Sequence, residues 1–393
     1  MKVVEKKHLL PFSLVTSLFL LWGLANNMTD TLLSAFKKIM SMSDTQTSFI
    51  QFAFYGAYFV IALPAALFIR KYSYKRGVIL GLCLYACGAV LFMPAAKAAS
   101  YAFYLLAIYV MASGCSVLET TANPYIMAMG SPETATRRLN IAQAFNPIGS
   151  IVGILLSKYF ILKDISLYSV SGTYMTLGLV LAGIMVVMLF ARMPEGRDSG
   201  KMGGVRASVR RLLGNKAYVF GVIAQFFYVG AQIGVWSFTI HIVMQELGMV
   251  EAEAATVYLW TIIAFCASRF IYTWLMKYFA PARLLVFGAV MSALCCALVV
   301  VGAGWGWVMV SALVAVSFFM SLMFPTIYGI ALSSVGEDSK IGASGLIMSI
   351  LGGALLTPLQ AMVSDAAGIY TSYLVPLVCF VVVLMYGIRA SRT

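Results

Sequence analysis

Of 393 residues, 62% are hydrophobic and only 10% are charged, and the mean hydropathy is +0.93. A soluble domain carries about a quarter of its residues as charged side chains, so a globular domain with a single anchor is excluded and a polytopic membrane protein is indicated. The formal net charge of +13 does not point to nucleic acid, because the basic residues are scattered over short loops between apolar runs.

Each spanning helix needs roughly 20 apolar residues. Twelve such runs follow one another, at 9–36, 46–69, 77–96, 100–129, 138–160, 169–191, 216–245, 254–276, 282–303, 305–332, 341–364 and 368–388. Only helices and closed barrels satisfy the backbone in lipid, and runs of this length mean helices. The expected fold class is therefore all-α, a polytopic membrane protein with 12 transmembrane helices. The basic start MKVVEKK passes into the first run without a small-residue cleavage site, so that helix is expected to be retained.

Basic residues in the loops set the orientation. One set of loops holds Lys2, Lys6, Lys7, Arg70, Lys71, Lys75, Arg76, Arg137, Arg138, seven residues from Arg192 to Lys216, Lys277, Arg283, Lys340, Arg389 and Arg392. That set has 21 of the 27 basic residues, and the opposite set has Lys37, Lys38, Lys97, Lys158 and Lys163. Both termini are expected in the cytoplasm, in a bacterial inner (plasma) membrane. The seven cysteines all fall inside spans without metal-ligand spacing, and read as buried small apolar residues.

The one long polar stretch, MPEGRDSGKMGGVRASVRRLLGN at 193–215, reads as a cytoplasmic linker between an N-terminal six-helix bundle (1–192) and a C-terminal one (216–393). Within it, VRASVRRLL has the composition of a short basic surface helix. Internal repeats support the split. Pro124 and Pro325, 201 residues apart, are each followed by an aromatic, a short polar loop with Glu, and a Gly/Ala-rich helix. Two tandem six-helix halves are the pattern of major facilitator transporters. The basic turns RKYSYKRG (with Arg70, Lys71 and Arg76) and SRFIYTWLMKYFAPAR (opening at Arg269) sit where such proteins carry a gating loop. Arg269, about eight residues from its helix end, either snorkels to the interface or serves that gate.

A charge at bilayer depth costs roughly 2.5–3.5 kcal/mol on insertion scales, so it must face protein or water. Asp30 and Glu119 lie about two-thirds of the way along their spans, too deep for a short side chain to snorkel. Both have polar company at helical spacing. Asn26, Asn27 and Asp30 share a face of the first span, and Glu119 and Asn123 are one turn apart on the fourth. Asn140, Gln143 and Asn146 step by three along the fifth, and Gln225, Tyr228, Gln232 and Trp236 form a stripe on the seventh. A single amide can simply bond two helices together, for about 0.6 kcal/mol on average, but rows on four helices exceed what such bonding requires. Neutral amides with an aromatic suit a hydroxyl-rich ligand such as a sugar, since Asn and Gln satisfy both hydrogen-bond roles. Trp236 or Tyr228 could stack on its ring. A carboxyl shielded from water favours its neutral form, so a group of this kind can load a proton on one side and release it on the other. Carboxylate and amide oxygens also suit sodium, which ranks second.

The segments WGLANNMTDTLL, GCSVLETTANPYI, RLNIAQAFNPIGSIVG, AQFFYVGAQIGVWSF, FPTIYGIAL and LGGALLTPLQAMVSDAAG closely resemble, in order and over nearly the whole chain, the fucose–hexose branch of the major facilitator superfamily, which holds the L-fucose:proton symporters. The resemblance implies a 12-helix rocker that binds sugar between its halves. It implies proton coupling through Asp30 (in NNMTD) and Glu119 (in LETTANP), with the Glu near the sugar and the Asp cycling the proton. It also implies that LNIAQAFN and AQFFYVGAQ line the cavity, with Phe324 standing where some relatives carry Tyr. The branch holds glucose/galactose and N-acetylglucosamine carriers too, so such a carrier, with sodium as an optional coupling ion, is the alternative. The expected partners are a small-molecule sugar, H+ and the lipid bilayer, with no nucleic acid, no cofactor, no metal, and the chain acting as a monomer. A membrane-embedded hydrolase using Asp30 and Glu119 as an acid/base pair is disfavoured, because no Gly-x-Gly-Asp motif, zinc ligand set or nucleophile elbow is present.

Overall fold

The computed structural model describes the backbone of residues 3–39, 44–156, 159–160, 166–193 and 204–392, and all side chains within them except 7, 25, 26, 29–39, 44–49, 51, 167 and 252. Lys2, Lys158, Lys163 and residues 194–203 of the expected linker, with Arg197 and Lys201, lie outside the described residues.

Sixteen α-helices are described. They are α1 (Leu9–Ile39), α2 (Asp44–Lys71), α3 (Tyr74–Ala98), α4 (Tyr101–Ala128), α5 (Ala135–Gln143), α6 (Asn146–Leu156), α7 (Leu167–Phe190), α8 (Val205–Gly214), α9 (Lys216–Leu247), α10 (Glu251–Leu275), α11 (Pro281–Val301), α12 (Trp307–Met320), α13 (Met323–Ser333), α14 (Ser339–Met348), α15 (Gly352–Ala367) and α16 (Leu374–Arg392). Eleven helical spans among the described residues are long and apolar enough to cross a membrane, and α1 adds the apolar stretch Leu9–Leu24. Phe52, Leu179, Phe190, Trp260, Val308 and Met362 project outward from these helices, as lipid-facing positions should.

Three expected spans are not single helices. The fifth is α5 and α6, the tenth is α12 and α13, and the eleventh is α14 and α15 joined by a 3-10 turn at Ser349–Leu351. Proline lacks the N–H that would bond the carbonyl four residues back, and its ring crowds that carbonyl. Pro147 does this to Gln143, where α5 ends, and Pro325 to Ser321, just past the end of α12.

The chain divides into two compact units. The first comprises Met1–Pro132, Ile148–Ser208 and Gly336–Met348. Its axis is α4, in which every residue from Met111 to Met127 is buried, and α2, α3 and α14 pack around it. Trp22 of α1, fully buried, donates Nε1–H to the Cys115 carbonyl at 3.3 Å, and the Tyr85 hydroxyl of α3 donates to the Leu21 carbonyl at 3.2 Å. Phe92 and Tyr174 stack at 4.1 Å between α3 and α7.

The second unit comprises Glu133–Pro147, Val209–Val335 and Ser349–Thr393. Here α9 packs on α13, α15 and α16, α11 packs on α12 and α16, and α5 lies on α13 and α10. Asn215 caps α9, its Oδ1 accepting from the Ala217 and Tyr218 N–H groups, while its Nδ2 donates to the Ser334 carbonyl. At the other end of α9 the Glu246 carboxylate accepts from the N–H groups of Gly304 (3.1 Å) and Gly306 (2.6 Å) and from the Tyr370 hydroxyl (2.7 Å). Both glycines have positive φ, which turns their N–H groups toward one acceptor without a Cβ penalty. Burial and the neighbouring carboxylate push Tyr370 up to about 12, so it stays the donor at physiological pH.

The repeat read in the sequence reappears in the packing. A Cβ on Gly149 would stand 1.8 Å from the Leu20 carbonyl oxygen, and one on Gly352 would stand 2.0 Å from that of Phe226. In each unit, then, a glycine lets a helix pass directly over the backbone of another, α6 over α1 and α15 over α9.

The cysteine expectation needs correction. Cys115, Cys295, Cys296 and Cys379 are buried, but Cys83 and Cys87 are exposed on α3. They lie one turn apart, on a face of α3 that its protein neighbours leave uncovered.

Candidate substrate and proton site

In the first unit the described functional side chains belong to α1 and α4. Glu119 is 7% exposed, and its Oε2 has no hydrogen-bond partner among the described groups. Tyr58 of α2 and Cys115, one turn before it, are its electrostatic neighbours, and the buried Tyr58 hydroxyl lies beside the Cys115 thiol. Asn123 is fully buried on the same face of α4. Asn27 is half-buried and donates Nδ2–H to the Gly23 carbonyl at 3.2 Å. The side chains of Asn26 and Asp30 lie outside the described residues.

In the second unit α5, α9, α10 and α13 bring several predicted residues together. Asn140 is fully buried, donating Nδ2–H to the Thr136 carbonyl (2.9 Å) and to the Thr326 hydroxyl of α13 (3.3 Å), and its Oδ1 has no partner. Gln143 is buried, and Asn146, at the start of α6, is half-buried. On α9 the stripe is real. Gln225 and Tyr228 are fully buried, while Gln232 and Trp236 are half-buried. Among the described residues neither amide atom of Gln225 has a partner, while the Tyr228 hydroxyl lies against the Phe324 backbone. Trp236 donates Nε1–H to the Ser317 hydroxyl at 3.2 Å and meets Phe265 of α10 edge-on at 5.0 Å. Tyr228 faces Phe324 across 6.5 Å.

Arg269 does not snorkel. It is 3% exposed, with its guanidinium 4.8 Å from the centre of the Phe265 ring. Its Nη1–H group donates at 3.3 Å to the Gln143 carbonyl, the one Pro147 cannot bond, and its Nε–H has no partner among the described residues. The titratable groups nearest it are Tyr228 and Cys266, neither of them an acid that would offset its charge.

The other residues of the expected gate are more exposed. Arg70 is half-buried, and Lys71 and Arg76 flank the Tyr72 ring at 5.3 and 5.2 Å. Sequence reading missed Tyr58, Phe265, Ser317 and Thr326. Only Phe265 had a signal, its spacing of four from Arg269, which stacks an aromatic and a cation on one helix face. Among the described residues no three His, Cys, Asp or Glu side chains converge to hold a metal ion.

A chain of twelve apolar segments, with unpartnered buried amides in one unit and an unpartnered buried carboxylate in the other, has the makings of a carrier rather than of an enzyme. It belongs to the Major Facilitator Superfamily, whose signature matches residues 15–358. It is 41% identical to the L-fucose-proton symporter of Haemophilus influenzae, over 100% of this chain and 99% of that one. It is 36% identical to the L-fucose-proton symporter of Escherichia coli, over 99% and 95% of the two chains. The crystal structure of a Major Facilitator Superfamily transporter, FucP, in the outward conformation superposes with a TM-score of 0.91 at 34% identity, covering 99% of this chain and 100% of that one.

Proposed function

We propose that this protein is a proton-coupled sugar symporter that imports L-fucose, or a closely related monosaccharide, by alternating access. The observation that carries the reading is the buried carboxylate of Glu119, whose Oε2 has no hydrogen-bond partner among the described residues, in a chain similar over its whole length to two L-fucose-proton symporters. Asp30 and Glu119 couple the proton. Asn26, Asn27, Glu119, Asn123, Asn140, Gln143, Asn146, Gln225, Tyr228, Gln232 and Trp236 bind the sugar, whose hydroxyls both donate to and accept from amides. The unpartnered atoms of Gln225 and Asn140 support this assignment, because a buried polar atom left unmatched costs about 1–3 kcal/mol and a ligand hydroxyl removes that cost. Arg70, Lys71, Arg76 and Arg269 are the basic groups we assign to gating. The protein works as a monomer of two six-helix bundles, 1–192 and 216–393, joined by a cytoplasmic linker at 193–215, with both termini in the cytoplasm of a bacterial inner membrane.

The energetics suffice. One charge crossing the membrane is worth about 2.3 kcal/mol per 100 mV. At roughly 150 mV, one proton per sugar sustains a gradient of a few hundred-fold.

The test is uptake of radiolabelled L-fucose, galactose, glucose and N-acetylglucosamine into vesicles containing the purified protein, with a pH gradient, a sodium gradient or neither. L-fucose should accumulate only with the pH gradient. Accumulation of another sugar alone, or dependence on sodium, would replace this reading with the alternative carrier.

A further inference from the structure

We propose that Phe265 is a positioning residue of the sugar site, holding Arg269 and Trp236 in a fixed relation. This rests on the sugar-binding role proposed above for Trp236.

Phe265 is 2% exposed on α10 and makes two directional contacts. The Arg269 guanidinium, one turn further along the helix, lies 4.8 Å from its ring centroid. The Trp236 ring stands at 5.0 Å and 72° to it, an edge-to-face pair. An aromatic ring is negative on its faces and positive at its edge, so one residue serves a cation and a second ring at once.

Both neighbours need such a hold. Among the described residues Arg269 is buried with no carboxylate beside it. Besides the ring, its guanidinium meets the Gln143 carbonyl at 3.3 Å, a long bond, and no described group takes the Nε–H, which can be offered to a ligand oxygen. Trp236 is fixed by Ser317 at its nitrogen, and a single hydrogen bond leaves the ring free to swing about it. Phe265 removes that freedom. The guanidinium charge is stabilised on the ring face, Nε–H is kept unspent, and the indole is kept in place to meet the sugar. Phe265 itself has no hydrogen-bonding group and need not touch the sugar.

The test installs phenylalanine carrying one, two or three ring fluorines at position 265 by nonsense suppression. Each fluorine drains the negative face while the ring keeps nearly its shape. Equilibrium binding of radiolabelled L-fucose to the purified protein is the readout. Affinity should fall in order of fluorination, by roughly five- to thirty-fold across the series, the worth of a shielded cation–π contact. F265L, which keeps apolar bulk and loses the ring, should raise KM for transport while leaving kcat within about twofold.

A flat fluorination series in protein whose unmodified form binds L-fucose would overturn the inference and leave the proposed function standing. A lowered kcat with unchanged KM in F265L would overturn it as well, since a positioning role acts on binding. Unmodified protein that binds none of the four sugars would remove the proposed function, and this inference with it. Should F265L fail to fold, the fluorinated series decides alone.

Discussion

Gln225 offers a sharp test, because its two roles predict opposite signs. It is fully buried on α9, and neither its amide nitrogen nor its carbonyl oxygen has a partner. Each unmatched buried polar atom costs about 1–3 kcal/mol. Leucine has a similar volume and no such atoms. Gln225→Leu should therefore stabilise the sugar-free protein by about 1–3 kcal/mol, if only one of the two orphan atoms is relieved in full. In a chain of this size that raises the melting temperature by roughly 1 °C per kcal/mol. Sugar binding should move the other way, falling roughly 10- to 100-fold, as a lost hydrogen bond to a ligand hydroxyl does when its partner is left unmatched. Purified protein is melted in detergent without sugar, and L-fucose affinity is measured on the same samples. If Gln225→Leu melts below the parent and binds sugar as well as the parent, the amide is a structural bond between helices. The inference from unmatched atoms to ligand would then be wrong for the whole stripe.

Four further outcomes are expected. Asp30→Asn should abolish uphill uptake while sugar exchange down its own gradient persists; continued accumulation against a gradient would remove Asp30 from coupling. Glu119→Gln should weaken sugar binding or uncouple it from pH, and a mutant normal in both would place Glu119 outside the site. Gly352→Val puts a side chain within 2.0 Å of the Phe226 carbonyl oxygen, which is backbone and cannot step aside; overpacking of this kind costs typically 1–3 kcal/mol, read as a lower melting temperature, and Gly149→Val should match it if the two approaches are equivalent. Tyr370→Phe removes one of three donors to Glu246 and should cost about 1 kcal/mol, with an unchanged melting temperature showing that the two glycine amides suffice.

The twelve spans were legible because hydropathy alone sets where a chain can cross a bilayer. The breaks within the fifth, tenth and eleventh were not read, although Pro147, Pro325 and the Gly352–Gly353 pair mark them, because an averaging window is blind to one missing N–H. The stripe on α9 was visible as spacing, and its burial follows. Arg269 shows the limit of position along a helix. Its distance from the helix end left snorkelling open, and only its angular direction, set by packing against α5, sends it inside. Phe265 was hidden for a different reason. In a helix rich in aromatics and aliphatics, its spacing of four from Arg269 is a faint mark, and its pairing with Trp236 on α9 emerges only from the packing. Cys83 and Cys87 misled because a span in lipid has no polar outer face to betray which side is out.

The two short helices α5 and α14 have a consequence for cutting the polypeptide. Residues 133–147 precede position 193 but pack on α10 and α13, and residues 336–348 follow it but sit on α2 and α4. Severing the chain near its midpoint would thus give two fragments, each carrying off a piece whose apolar partners remain on the other. Neither fragment would be self-sufficient, and transport should return only when both are synthesised in the same cell.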